Sequence, residues 1–361
     1  MKVMIHNSGR AIIVRGFNTL AETLATALLK NGHDVYYFGI SNYFISESGS
    51  ANFHVVDSFQ EGIDSGSEIC ITNALTNPTL SVPVDFHVYE DDLGGQYNQL
   101  LRDLDTPTTY FSVNSQYQKD QFPNQISDDK IRITSNMINE DLYKPEPSTP
   151  VIDKSIVVIS NFSSLKKKTF DVMFDVMKNF QDYTFNIVGY YSKGNNAYRQ
   201  YKKKFDKTIV DFVSQAPPHT PVLDADIFPL KQITHDITTN INFVGEKIGS
   251  EKIDYIRQHQ IAIGTERASK ETELCGVPTL VFGKGWGDWI TEANHNNLVE
   301  DDYTTESYPN VNPNTLRDNI ETAISGTWES MSRAEAVNHF GMDNGVTTFI
   351  DYFNEIISGS I

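Results

Sequence analysis

Short apolar runs alternate with amphipathic segments along most of the chain, and this alternation restricts the fold more than any other feature. KVMIH, HDVYYFG, FHVVD, EICIT, FHVYE, TTYFSV and KIRITS follow one another within residues 1–135. After the first run comes FNTLAETLATALLKNG, with Leu20, Leu24, Ala27 and Leu28 on one helical face and Gly32 just past its end. The pattern pauses at YKPEPSTPVIDKS, where Pro145, Pro147 and Pro150 fall within six residues. It then restarts as SIVVIS, a helix FDVMFDVMKNF, YTFNIVG, INFVG, a short helix KIDYIRQ, IAIGT, a helix RASKETELCG, and TLVFG. Strands separated by helices imply parallel sheets covered on both faces. The expected fold class is α/β, with two doubly wound Rossmann-like domains facing a cleft. The proline cluster places the boundary near residue 148. The first domain is expected over 1–148, and the second over 149–330 with an insertion at about 190–240. Residues 331–361 hold C-terminal helices that can pack back on the first domain. Ligands of such folds bind outside the carboxyl ends of the strands, so the residues after each strand matter most.

A length of 361 residues leaves room for two domains, and 39% hydrophobic with 21% charged residues is ordinary globular composition. No apolar run approaches the ~20 residues that span a bilayer. The opening MKVMIHNSGR lacks the apolar core of a signal peptide, which makes a cytoplasmic location the expectation. Cys70 and Cys275 sit in apolar contexts, against a disulfide framework or a zinc site. A formal charge of −18 disfavours coating nucleic acid or lying on anionic lipid. Locally, residues 193–207 hold six cations and one acid, as a solvated helix face or as an anion-binding patch.

The stretch IAIGTERASKETELCGVP carries the most chemistry. A strand ends at Gly264, and a helix opens near Arg267 with Glu271 one turn later on the same face. A helix N-terminus suits phosphate, and a carboxylate one turn on can accept hydrogen bonds from a vicinal diol. The alternative is a plain i,i+4 ion pair on a surface helix. Farther on, TLVFGKGWGDWITEAN holds Gly283, Gly285 and Gly287, whose bare backbone lets amides approach a sugar or phosphate, or simply turns. Trp286 and Trp289 form either an apolar wall for a sugar ring or core. In the first half, FHVYEDDLGGQYNQLLRDL ends a strand in Glu90-Asp91-Asp92, a solvated or helix-capping cluster, or a contact for an acceptor hydroxyl or a donor sugar. His87, inside that strand, reads as core.

The order Gly264-x-x-Arg267-x-x-x-Glu271-x-x-x-Cys275-Gly276-x-Pro278 resembles the donor-binding segment of GT-B fold glycosyltransferases, especially the retaining family 4. VVISNFSSLKKKTFDVMFDVMKNFQDYTFNIVG is similar to the start of the same domain. MKVMIHNSGR through NGHDVYYFG, and YFSVNSQYQKDQF with IRITSNMINEDLYKP, are similar to the beginning and end of the other domain. The resemblance implies a hexosyl- or pentosyltransferase that takes a nucleotide diphosphate sugar, such as a UDP-sugar, as donor. It implies no metal or other cofactor, a hydroxyl acceptor, and retention at the sugar. It implies that Glu271 binds the donor ribose and that Lys167 or Lys168 meets the diphosphate. Lys168 would be catalytic, since a fixed cation stabilises the charge that develops on the leaving group. Gly189, Gly264, Thr265 and Arg267 would complete the donor site. Gly9, Arg10 and Gly16 would lie under the donor diphosphate or the acceptor, and Asp91 and Asp92 are the candidates beside the reacting hydroxyl. Three positions depart from the family pattern: Asn161 stands near an expected arginine, Ile263 where many members have an acid, and Glu266 where a second glycine is common. The family's range leaves open a phage-type DNA glycosyltransferase acting on hydroxymethylated bases, with nucleic acid the less favoured partner. It also leaves open a non-catalytic nucleotide-sugar-binding module and a nucleotide-sugar epimerase.

Overall fold

The computed structural model describes residues 1–7, 16–39, 49–73, 84–89, 101–102, 105–134, 136–160, 167–189, 240–245, 247, 249–283, 285–300, 303–305, 312–326 and 330–361. They form two compact units, one of Met1–Asn139 with Asn338–Ile361, the other of Glu140–Val337.

The first unit opens with β1 (Lys2–Asn7), α1 (Gly16–Lys30) and β2 (Asp34–Gly39), then β3 (Phe53–Val55), α2 (Phe59–Asp64) and β4 (Ile69–Asn73). β5 (Asp85–Tyr89), β6 (Thr109–Val113), the short α3 (Gln116–Lys119) and β7 (Ile131–Ile133) complete its sheet. The strand order is β3-β2-β1-β4-β5-β6-β7, with every neighbouring pair parallel. The central strands are buried on both faces and read as nearly continuous apolar runs, whereas β2, β3 and β7 toward the edges are partly exposed. In α1 the leucines expected on one face are buried, and Gly32 follows with φ +76°, the left-handed conformation that ends helices without a Cβ clash.

The second unit contains β8 (Ser155–Ile159), α4 (Lys167–Met177), β9 (Thr184–Val188), β10 (Ile241–Gly245), α5 (Gly249–Arg257), β11 (Ile261–Gly264), α6 (Arg267–Leu274) and β12 (Thr279–Phe282). After these come β13 (Trp286–Trp289), α7 (His295–Val299), α8 (Pro313–Ser325) and α9 (Arg333–Phe340), whose last three residues belong to the first unit. Its strand order is β10-β9-β8-β11-β12-β13. All pairs are parallel except β13, which runs antiparallel to β12. The Gly-Trp stretch expected as a turn is therefore partly an edge strand. Trp289 pairs with Leu280 and is buried in the same core as Val158, Ile263 and Phe282. α8 starts with Pro313 behind Asn312, whose side chain accepts from the Asn314 amide, and stops at Gly326 in the left-handed region.

The last helix, α10 (Met342–Ser358), returns to the first unit. Val346, Phe349, Tyr352, Phe353 and Ile356 join α1 and the β1, β4 and β5 side chains in one core. Phe86 of β5 meets the rings of Phe353, Tyr352 and Phe349 at 5.0, 5.7 and 6.1 Å. Each such aromatic contact adds about 0.5–1.5 kcal/mol beyond the area it buries.

The prolines expected at the boundary lie inside the second unit, whose first residue is Glu140 rather than one near 148. Two arginines explain the shift. Arg257 donates to the carbonyls of Lys144 at 2.7 Å and Leu142 at 2.9 Å. Arg333 donates to those of Tyr143 at 2.9 Å and Glu140 at 2.8 Å. The basic stretch 193–207 and the rest of the expected insertion up to residue 239 lie outside the described residues. Cys70 and Cys275 are both buried, and among the described residues neither forms a disulfide. Among the described residues no helix is long and apolar enough to cross a membrane.

Candidate functional site in the second unit

β8 and β11 are neighbours, yet the chain leaves β8 for β9 on one side and leaves β11 for β12 on the other. The strand order thus reverses between β8 and β11, and ligands of doubly wound sheets bind outside the carboxyl ends of the strands at such a switch point. Gly264 lies level with Ile159 across the two strands. The turn Gly264–Arg267 therefore leaves β11 at the level where β8 ends. Lys167 and Lys168 open α4, the next helix after β8; their side chains lie outside the described residues. Gly189 directly follows β9, one strand farther along, and its amide donates to the Gly245 carbonyl at 3.2 Å.

The β11–α6 turn is tightly packed and strained. A Cβ on Gly264 would lie 3.0 Å from the Ser269 backbone, so only glycine lets α6 come this close to the strand. Thr265 is buried, and its carbonyl accepts from the Ala268 amide. Glu266 adopts φ 53° and ψ −132°, a region that favours glycine, at the position where the family resemblance had marked a missing glycine. Its amide donates to the Tyr303 carbonyl at 3.0 Å. Tyr303 and Thr305 also have positive φ, at 63° and 58°. A Cβ on Gly283 would meet the Thr304 carbonyl oxygen at 2.0 Å. Of the four non-glycine residues with positive φ among the described residues, three thus gather at the ends of β11 and β12. Each such residue stores about 1–3 kcal/mol, and clusters of them are typical of binding and active sites. The Tyr303 ring is held from two sides: its hydroxyl lies 2.7 Å from His295 Nδ1, and the Lys270 ammonium lies 5.0 Å from its centre.

Glu271 lies one turn into α6 and is 1% exposed. Arg267 Nε donates to its Oε1 at 3.1 Å, the i,i+4 contact expected from the spacing. Lys252 of α5 donates to Oε2, and the Tyr143 hydroxyl is hydrogen-bonded to the same carboxylate. The helix is not a surface helix, because seven of its residues from Arg267 to Leu274 are buried. Burial alone would push the Glu271 carboxyl up; Lys252 and Arg267 outweigh it and hold it below the usual range. Burial likewise drives the Tyr143 hydroxyl well above its ordinary value, reinforced by the negative charge of Glu271. Glu273, on the same helix, is buried without a cation. Burial pushes it well above the carboxylate range although Thr279 donates to it, and its Oε2 has no hydrogen-bond partner.

The structure thus brings Gly264, Thr265, Arg267 and Glu271 into one turn and helix beside the switch point. Gly16 opens α1 in the other unit. Gly9, Arg10, Asp91 and Asp92 lie outside the described residues, as does Asn161. Ile263 is fully buried in the core of β11. Sequence reasoning missed Lys252 and Tyr143, which carry no local signal because they reach Glu271 from other segments. A concavity of about 500 Å3 lies at the opposite, amino end of β11, between Pro145–Pro147, Arg257, Cys275–Pro278 and Ile324. It shares neither the cation pair nor the strained turn.

No protein-family model matches the chain, and no curated protein sequence does. Its structure is nevertheless similar to solved ones over nearly the full length. A crystal structure of AviGT4, a glycosyltransferase involved in avilamycin A biosynthesis, superposes with a TM-score of 0.63 at 13% identity, covering 99% of this chain and 98% of that one. An α-glucosyltransferase in complex with UDP-glucose and DNA containing an abasic site gives 0.56 at 11% identity, covering 98% of each chain. A putative UDP-N-acetylglucosamine 2-epimerase from Listeria monocytogenes gives 0.54 at 10% identity, covering 99% and 97%. Such identities speak for the fold, and the fold is the two-domain Rossmann-like GT-B architecture.

Proposed function

We propose that the chain is a glycosyltransferase that moves a sugar from a nucleotide diphosphate sugar to a hydroxyl acceptor, with retention at the sugar and without a metal ion. The observation that carries this reading is the switch point of the second unit. There a strained glycine turn leads into a buried helix whose first residue, Arg267, is paired with Glu271, while Lys167 and Lys168 open the helix that follows the adjoining strand. Cleavage of a glycosyl phosphate bond leaves negative charge on the departing nucleoside diphosphate. Fixed cations and helix N-termini stabilise that charge in the transition state more than in the ground state. Likeness to glycosyltransferases, including one crystallised with UDP-glucose, supports a UDP-sugar as donor.

The experiment is a thermal-shift screen of UDP-, GDP-, ADP- and dTDP-sugars, followed by transfer assays with and without EDTA. A ligand that binds only the native state at about 100 times its Kd adds about 2.7 kcal/mol of stability. We expect one nucleotide family to raise the melting temperature and turnover to survive chelation; loss of turnover with rescue by manganese would refute the metal-free assignment. A second reading, transfer to a hydroxymethylated base in DNA, draws on the likeness to the α-glucosyltransferase crystallised with DNA and on the six cations within 193–207. The formal charge of −18 opposes it. Transfer to hydroxymethylated DNA that weakens steeply with salt favours this second reading. Donor turnover with no acceptor present favours an epimerase instead.

A further inference from the structure

Glu271 is buried with a cation already on each of its carboxylate oxygens. Its two oxygens take Arg267 Nε and Lys252 Nζ, the Tyr143 hydroxyl adds a third hydrogen bond, and the residue is 1% exposed. Releasing a cation from such a site leaves a buried charge uncompensated, which destabilises by about 3–5 kcal/mol. Lys252 differs from its partners in two respects. Its side chain is 22% exposed, against 9% for Arg267 and 1% for Glu271, so it is the part of the cluster that solvent reaches best. Its ammonium also carries three donors on a flexible stem, and a carboxylate that fixes one of them orients the others.

We propose that Lys252 contacts the diphosphate of the donor and that Glu271 is its positioning residue rather than the ligand's direct partner. The assignment rests on the nucleotide-sugar reading above. It makes α5, a helix to which no sequence motif drew attention, part of the donor site. Lys252 and Arg267 become two cations aligned by one buried carboxylate beside the switch point.

The test is calorimetric titration of the full chain with UDP, GDP, ADP, dTDP and inorganic pyrophosphate. Wild type is compared with Lys252→Met, Lys252→Arg, Glu271→Gln and the double variant Lys252→Met/Glu271→Gln. A charge-assisted hydrogen bond is worth about 1.5–3 kcal/mol, so Lys252→Met is expected to lower affinity for the diphosphate that binds wild type about 10- to 100-fold. Lys252→Arg is expected to recover part of this. Glu271→Gln should lower affinity comparably, and the double variant should be no weaker than Lys252→Met alone, the non-additivity of residues acting as a unit. The double variant removes opposite charges together, so if Glu271→Gln fails to fold, comparison of Lys252→Met with the double variant decides. Wild-type affinity in Lys252→Met, with affinity lost when Glu271 is also replaced, would overturn the proposal and return Glu271 to direct ligand contact, leaving the nucleotide-sugar reading intact. Lys252-dependent binding of pyrophosphate with no nucleotide bound would keep the anion contact and sink the nucleotide-sugar reading. Binding of no probe to wild type would overturn both.

Discussion

The carboxyls of Glu271 and Glu273 share one buried helix and meet opposite electrostatic environments. Glu271, although buried, is held low by Lys252 and Arg267. The stability it contributes is therefore present above the unfolded glutamate value of about 4.3 and is lost as pH falls through its lower folded value. Burial drives Glu273 up with no cation to oppose it. Its contribution is present below about 4.3 and is lost as pH rises toward its raised folded value, with a slope of up to about 1.4 kcal/mol per pH unit. Glu273→Gln keeps an oxygen to accept from Thr279 and has no charge to bury. We expect this variant to be more stable than wild type at pH 7, and the two to converge near pH 4.5. Urea denaturation across that range checks this; a variant less stable than wild type at pH 7, with the same slope, would mean that Glu273 is ionised in the fold.

At the scale of the element, the β11–α6 turn joins a backbone constraint to the candidate chemistry. Glu266 holds a conformation that costs a side-chain-bearing residue about 1–3 kcal/mol. Glu266→Gly should therefore stabilise the protein by about 1 kcal/mol, whereas Glu266→Ala, which keeps the strain and removes the same carboxylate, should not. Denaturant midpoints of the two variants separate backbone from side chain, and equal midpoints would show that the strain is absent in solution. This turn also marks how far the sequence could be read. Gly264, Arg267 and Glu271 were legible because strand end, helix start and i,i+4 spacing are local. The two expected i,i+4 partners do meet, but in the interior rather than at the surface. Lys252 lies 19 residues from Glu271, and Tyr143 lies on a different segment again, so only tertiary packing brings them together. β13 was hidden because Gly-x-Gly signals a turn, and its pairing with β12 is decided by a neighbouring strand rather than by its own residues.

At the scale of the molecule, the repeated alternation of apolar runs was enough to read two mainly parallel α/β sheets, since central runs such as β6, β8 and β11 are buried along their whole length. The same pattern says only that α10 is amphipathic. That it covers the first sheet follows from the fit of Phe349, Tyr352 and Phe353 around Phe86, which no periodicity encodes. The boundary at Glu140 depends on arginines more than a hundred residues away, while the proline cluster was the only local mark. In the duplicated architecture, the switch point of the second sheet is where the account places the donor. Hydrogen–deuterium exchange of the full chain, with and without the nucleotide diphosphate sugar that gives the largest thermal shift, tests that placement most directly. Slowed exchange is expected in peptides covering 160–168 and 264–271, with the amino-end concavity around 145–151 and 275–278 unchanged. Protection of that concavity, with 264–271 exchanging as in the free protein, would contradict that placement.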